Sequence, residues 1–188
     1  MYYINSMKKF LLFFWEISKI VLIALAIVVP IRYFLFQPFF VKGQSMEPNY
    51  ETGDYLIIDE LSYRLRNPER GEVIVFKYPN DITQRYIKRI IGLPGETIEI
   101  KDGKILIYKN NSTPEVLDES SYLPSGIQTG GNLKITLGNE EYFVLGDNRP
   151  VSSDSRRWGV VPRKDIIGKV YLRAWPITAM AKIELPAY

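Results

Sequence analysis

The alternation of apolar and polar residues divides the chain into two parts. From Phe10 to Phe40 only Glu16, Lys19 and Arg32 carry charge, and Ile20–Ile31 is an uncharged run of twelve residues. Such a run is short of the roughly 20 residues that a spanning helix needs. Extension from Glu16 to Phe36 reaches that length and leaves the charged side chains near the ends, where they can reach lipid headgroups. Beyond Phe40 the period changes to two. Segments 54–59, 72–77, 84–91, 96–101, 104–109, 133–137, 141–145 and 166–173 are short β-branched and aromatic runs separated by Gly, Pro, Asn and Asp, which predicts strands. Asp102-Gly103 predicts a tight hairpin turn. The expected class is mainly β, an antiparallel sheet or barrel-like domain following one N-terminal transmembrane helix. Residues 1–15 read as a short cytoplasmic N-terminus and the start of the apolar segment, 16–36 as the anchor, and 37–188 as an extracytoplasmic β-rich domain. Within that domain 110–132 read as a long loop or excursion.

A cleaved secretory signal would end in small residues, whereas Arg32-Tyr33-Phe34-Leu35-Phe36 follows the apolar run, so an uncleaved anchor is expected. Lys8 and Lys9 favour a cytoplasmic amino end; Arg32 and Lys42 pull the other way. The formal net charge is +3, and residues 1–40 account for all of it. The remainder is neutral, with twenty charges of each sign, which argues against a nucleic-acid binder.

Composition narrows the chemistry further. There is no histidine and no cysteine, so the commonest general bases, nucleophiles and transition-metal ligands are missing, and neither metal nor cofactor is expected. A lysine or a carboxylate is left to move a proton. Along Gln84–Glu96, strand alternation puts Tyr86, Lys88 and Ile90 on one face, with Arg85, Ile87, Arg89 and Ile91 on the other. Burial of Lys88 among large apolar neighbours would lower its pKa from about 10.4 and make it a usable general base near neutral pH. Directly after the anchor, an extended strand would place Phe39, Val41, Gly43 and Ser45 on one face. Leu145–Gly159 is a polar loop in which Asp154 and Arg156 could pair. Each stretch alone also fits a bland role: solvated cations on a strand, a turn serine, a surface loop stiffened by local hydrogen bonds.

Together these stretches resemble the type I signal peptidases, membrane-anchored serine endopeptidases that remove signal peptides from exported proteins. The resemblance rests on Ser45-Met46-Glu47-Pro48, on Arg70-Gly71-Glu72-Val73-Ile74, on Tyr86-Ile87-Lys88-Arg89-Ile90-Ile91-Gly92, and on Gly146-Asp147-Asn148-Arg149 through Ser152, Asp154-Ser155-Arg156 and Trp158-Gly159. These occur in family order, with the short spacing and the Gly43 of the Gram-positive type. Asn49-Tyr50 and Pro150-Val151 depart from the usual residues, and Glu72 stands for aspartate.

The resemblance implies Ser45 as nucleophile and Lys88 as general base, with Ser152 hydrogen-bonded to the Lys88 amine. Gly43, Tyr86, Asp147, Asn148, Arg149, Asp154 and Arg156 are implied as supporting residues, and Phe39 and Val41 as walls of the subsites for small side chains. It also implies cleavage after Ala-x-Ala, with signal peptides of exported preproteins, the lipid bilayer and the secretion translocon as partners. The expected place is the cytoplasmic membrane, single-pass, with the catalytic domain outside. A catalytically silent membrane-tethered peptide-binding module is the alternative, as is a peptidase dedicated to a few surface proteins. A self-cleaving repressor shares the serine and lysine pair, but it should carry a DNA-binding module and no anchor.

Overall fold

The computed structural model describes residues 2–34, 36–109 and 113–182. Helix α1 (Tyr2–Phe34) contains Leu12–Val29, eighteen residues of mean hydropathy 2.3, none of them buried. Among the described residues it is the one helix long and apolar enough to cross a membrane. Strand β1 (Phe36–Phe40) follows, then β2 (Tyr55–Asp59), the short helix α2 (Ser62–Leu65), β3 (Val73–Tyr78) and β4 (Asp81–Gly92). Next come β5 (Thr97–Lys101), β6 (Lys104–Tyr108), β7 (Glu115–Val116), β8 (Leu133–Thr136) and β9 (Glu141–Leu145). The chain closes with α3 (Ser155–Trp158), β10 (Val161–Pro162), β11 (Ile166–Trp175) and β12 (Ala181–Lys182).

All pairings between these strands are antiparallel, and they form two sheets. The larger runs β1-β2-β11-β3-β4-β9-β10, with β12 on β11; the smaller runs β7-β6-β5-β8. The mainly antiparallel β class expected from the period-two pattern is therefore the observed one. Asp102 and Gly103 both take positive φ, 51° and 76°, which is what a two-residue hairpin between right-twisted strands requires. The segment 113–132 carries β7 and buries Tyr122, Leu123 and Thr129.

The core comprises three clusters, and β4 runs through all of them. Ile87 packs with Val41, Met46, Tyr50 and Leu56 in the first; Ile90 with Ile74, Phe76, Tyr142 and Val144 in the second; Ile91 with Ile98, Ile100, Phe143 and Leu145 in the third. The shift from the second cluster to the third coincides with a register slip in the β4–β9 pairing between Ile90 and Gly92. A bulge also lies beside Gly168 on β11, where the strand passes very close to β2. A Cβ at Gly168 would stand 2.6 Å from the Asp59 carbonyl oxygen, a backbone atom that cannot move alone.

Gly168→Ala should therefore push β11 off β2 and cost on the order of 1–3 kcal/mol, read as a lower urea midpoint with an unchanged slope. A midpoint equal to that of the parent protein would show that the sheet tolerates the extra methyl at this crossing.

Candidate active site

Ser45 does not lie on the strand face that alternation suggested. Strand β1 ends at Phe40, and Gly43 takes a φ of 92°, a left-handed conformation that turns the chain out of the sheet. The Thr52 hydroxyl fixes that turn by accepting from Gly43 N–H and donating to Gly43 O, both at 3.1 Å. Nothing lies within 4 Å of the position a Gly43 Cβ would take, so backbone conformation rather than crowding sets the glycine there. Met46 and Tyr50 are buried beneath the turn in the first core cluster, which holds half-buried Ser45 at the surface.

Lys88 meets it from β4. Its Nζ donates to Ser45 Oγ at 2.7 Å and to the Ile87 carbonyl at 2.8 Å, and only 3% of the residue is exposed. The Tyr86 ring lies on the same side, its centroid 5.6 Å from Nζ. Loss of solvation lowers the Lys88 pKa to about 8; the charges of Asp154 and Asp147 oppose the shift and keep it from going further.

The loop after β9 closes the site from behind. Asn148 N–H donates to Ser45 O at 3.1 Å, and Asp147 holds Arg89 through two bonds of 2.8 and 2.6 Å. Asp154 caps α3, accepts Gly146 N–H at 3.1 Å and pairs with Arg156 at 2.8 Å. Arg156 also reaches Arg149 O at 2.7 Å. Gly146 is packed so closely that a Cβ would fall 2.2 Å from Ser152 Oγ and 2.3 Å from Ser45 O.

Two expected contacts differ. Ser152 Oγ is buried without a hydrogen-bond partner, and the second acceptor on the Lys88 amine is the Ile87 carbonyl instead. Ser152 is held by its own backbone, whose N–H donates to Asn148 O at 3.0 Å. Val41 is 2% exposed inside the first cluster, because its backbone continues the pairing toward Asp54 and turns its side chain into the core. The cleft beside Ser45 has a volume of about 560 Å³ and is lined instead by Phe39, Phe40, Tyr86, Ile87 and Val151, with Lys42 and Arg85 among its polar residues.

Several neighbours were missed by sequence reasoning. Asn49 departs from the usual residue and carries no pattern of its own, yet its amide donates to both Tyr122 O and Asp147 Oδ2. Arg89 was read as part of a strand, though its buried charge fixes Asp147. Glu119, Tyr122 and Thr129 lie in a stretch with no periodic signal, and their contacts with Arg149 and Arg89 span long sequence distances.

Burial of Lys88 has a consequence for stability. Its folded pKa of about 8 lies below the unfolded value near 10.5, so the folded state binds fewer protons between those values and stability rises with pH across that window. The full penalty, roughly 3 kcal/mol, applies below pH 8. Lys88→Met should thus raise the unfolding free energy at pH 7 by up to that amount, read as a higher urea midpoint, with the gain fading above pH 10. An equal gain at both pH values would mean that packing, not charge, is responsible.

The family model and the relatives at 30% identity or more point to one family over most of the chain. A family model described as signal peptidase, peptidase S26, matches residues 14–175. A probable signal peptidase I-2 of Synechocystis sp. is 38% identical over 168 residues, covering 86% of this chain and 73% of that one. Signal peptidase IB of Staphylococcus aureus is 31% identical over 183 residues, covering 92% and 93%. The crystal structure of a signal peptidase I from Enterococcus faecalis aligns at 33% identity with a TM-score of 0.45, over 56% of this chain and 97% of that one. With the family model covering most of its length and such relatives aligned nearly end to end, the chain belongs to the type I signal peptidases, serine endopeptidases that cleave signal peptides from exported proteins.

Proposed function

We propose that cleavage runs through a serine–lysine pair, with Ser45 as nucleophile and Lys88 as general base. The observation that carries this reading is the 2.7 Å approach of a desolvated amine to one hydroxyl. Deprotonated, the Lys88 amine accepts the Ser45 proton as Oγ attacks the scissile carbonyl, then donates it to the leaving amine, so that an acyl-enzyme remains for water to hydrolyse. The Ser45 N–H takes part in none of the turn's internal hydrogen bonds and serves as an oxyanion donor; in other proteases one such donor is worth about 2.7–4 kcal/mol. Asp147, Asn148, Arg149, Asp154 and Arg156 shape the loop, Gly43 the turn, and Tyr86 the wall beside the amine.

The substrate binds as an added strand. β9 pairs with β4 only from Arg89 onward, which leaves the opposite edge of residues 82–88 unpaired by any described strand, and residues 85–88 of it line the cleft. Phe39, Phe40 and Ile87 crowd that cleft, which favours small side chains before the cut, in the Ala-x-Ala manner.

The anchor, expected over 16–36, ends as helix at Phe34 with Phe36 already paired in β1, so the site would lie close to the bilayer surface, Ser45 being a few residues further on. In the pairing register Phe40, Tyr55 and Trp175 fall in one row, and Trp175, Ile177 and Met180 are exposed beside it, which supports contact with lipid. With Lys8 and Lys9 inside, the domain 37–188 lies outside the cytoplasmic membrane, where preproteins emerge from the translocon.

Purified protein in detergent should cut a preprotein once, after Ala-x-Ala, as mapped by mass spectrometry. Ser45→Ala and Lys88→Ala should each lower kcat/KM by at least about 1,000-fold with unchanged circular dichroism. For the parent protein the rate should climb as pH rises through about 8, where the Lys88 amine loses its proton. Activity retained in Lys88→Ala would remove the lysine from the mechanism, and peptide binding without any cut would leave a silent binding module.

A further inference from the structure

A buried polar network lies behind the cleft, and four of its members, Asn49, Glu119, Tyr122 and Thr129, belong to none of the segments that carried the family resemblance. Asn49 ends the nucleophile turn four residues after Ser45. Its Nδ2 donates to Tyr122 O at 2.7 Å and to Asp147 Oδ2 at 2.8 Å, tying the turn to two distant parts of the chain at once. A threonine in this place would offer one hydroxyl donor where the amide offers two.

Arg149 is 1% exposed, and its guanidinium holds the loop from the other end. Nε donates to Gly146 O at 2.9 Å, the two terminal nitrogens grip the Glu119 carboxylate at 2.9 and 2.5 Å, and one of them also reaches Thr129 Oγ1. Burial works against this charge, and the bonds and charge of Glu119 more than offset it. Glu119 is fixed in turn by the Tyr122 hydroxyl at 2.6 Å, and the Tyr122 ring lies 4.1 Å from the Arg89 guanidinium. Residues 119–129 thus touch the nucleophile turn, the strand bearing Lys88 and the loop at Gly146.

Displacement of that loop has nowhere to dissipate. Gly146 is already in close contact with the Ser45 carbonyl, and Asn148 N–H bonds to the same oxygen at 3.1 Å. Neither Asn49 nor Glu119 lines the cleft. We propose that Asn49 and Glu119 are positioning residues, which hold Ser45 at its distance from Lys88 through Asp147 and Arg149 without touching substrate. The proposal rests on the serine–lysine reading given above.

The test uses the full-length protein in detergent and a signal-peptide substrate, with kcat, KM, the pH profile and the folded fraction measured for each variant. Asn49→Ala and Glu119→Gln should lower kcat by about 10- to 100-fold with KM changed less than twofold, since an ångström of misplacement costs rate rather than binding. The acid limb of kcat should move to higher pH, because a loosened loop admits water to the Lys88 amine. The charged groups facing that amine, Asp147 and Asp154, are unaltered in both variants, as are its neighbours Tyr86 and Arg89. Asn49→Thr, whose hydroxyl keeps one donor of the two, should recover part of the rate.

Parent-like kcat in Asn49→Ala would overturn the proposal, as would a loss of rate that merely follows the folded fraction with the acid limb unmoved, or a rise in KM alone. If Glu119→Gln does not fold, Asn49→Ala decides by the same criteria. Ser45→Ala and Lys88→Ala in the same assay separate the two levels: activity there sinks the underlying mechanism, whereas inactivity there beside a normal Asn49→Ala sinks only this inference.

Discussion

Withdrawal of one amine from water is the constraint on which the rest of this structure turns. A chain without histidine has no side chain whose ordinary pKa lies near neutrality. Lys88 reaches that range only because the fold removes its solvation, and the same burial that lowers its pKa to about 8 weakens the folded state. The neighbouring carboxylates set a limit to the effect. Asp154 and Asp147 stabilise the ammonium enough for it to survive in the interior, and each is neutralised by its own arginine, so neither remains a free counter-ion that would restore the lysine to its usual range.

The sheet supplies the exclusion of water from two sides. On one face of β4, Ile87 joins Met46 and Tyr50 under the Ser45 turn; on the other, Ile90 and Tyr86 pack with Phe76 and Trp158. Lys88 shares the face of Tyr86 and Ile90, and the two acceptors of its amine, Ser45 Oγ and the Ile87 carbonyl, lie at the cleft end. The serine arrives from a different strand by a left-handed turn at Gly43, and the polar loop after β9 seals the back. Three segments far apart in sequence therefore converge on one amine, which requires that the long-range contacts between them be stiff.

How much of this could be read from the residues depends on the range of the interaction. Period-two alternation located most strand ends to within two residues, since alternation is a local property, but it started β4 three residues late and did not separate β1 (Phe36–Phe40) from the apolar run before it; pairs such as Val161–Pro162 carry too few residues to show it. The burial of Lys88 followed from its apolar neighbours on the same strand face. The position of Ser45 did not, because extended alternation from Phe39 ignores the positive φ at Gly43, and a glycine in a strand pattern signals several outcomes. The same error carried Val41 into the cleft wall when it belongs to the core. Ser152 was given a partner by position in a motif, but a hydroxyl's bonding depends on rotamer and on a packed neighbour such as Gly146. Glu119 and Thr129 left no trace at all in pattern or spacing, since their partner is twenty or thirty residues away in an aperiodic stretch.

The buried cations show how one physical rule produces two outcomes. Arg89 and Arg149 each place a planar fork against a carboxylate with two bonds, so burial strengthens the pairing rather than discharging the ion. Lys88 is offered only a hydroxyl and a carbonyl, neither of which carries a compensating charge. An arginine in its place would stay protonated and could not act as a base. A lysine in place of Arg149 could not span both oxygens of Glu119 and Gly146 O in one plane. The division of labour between scaffold and proposed chemistry thus follows from which cations are given a carboxylate and which one is denied it.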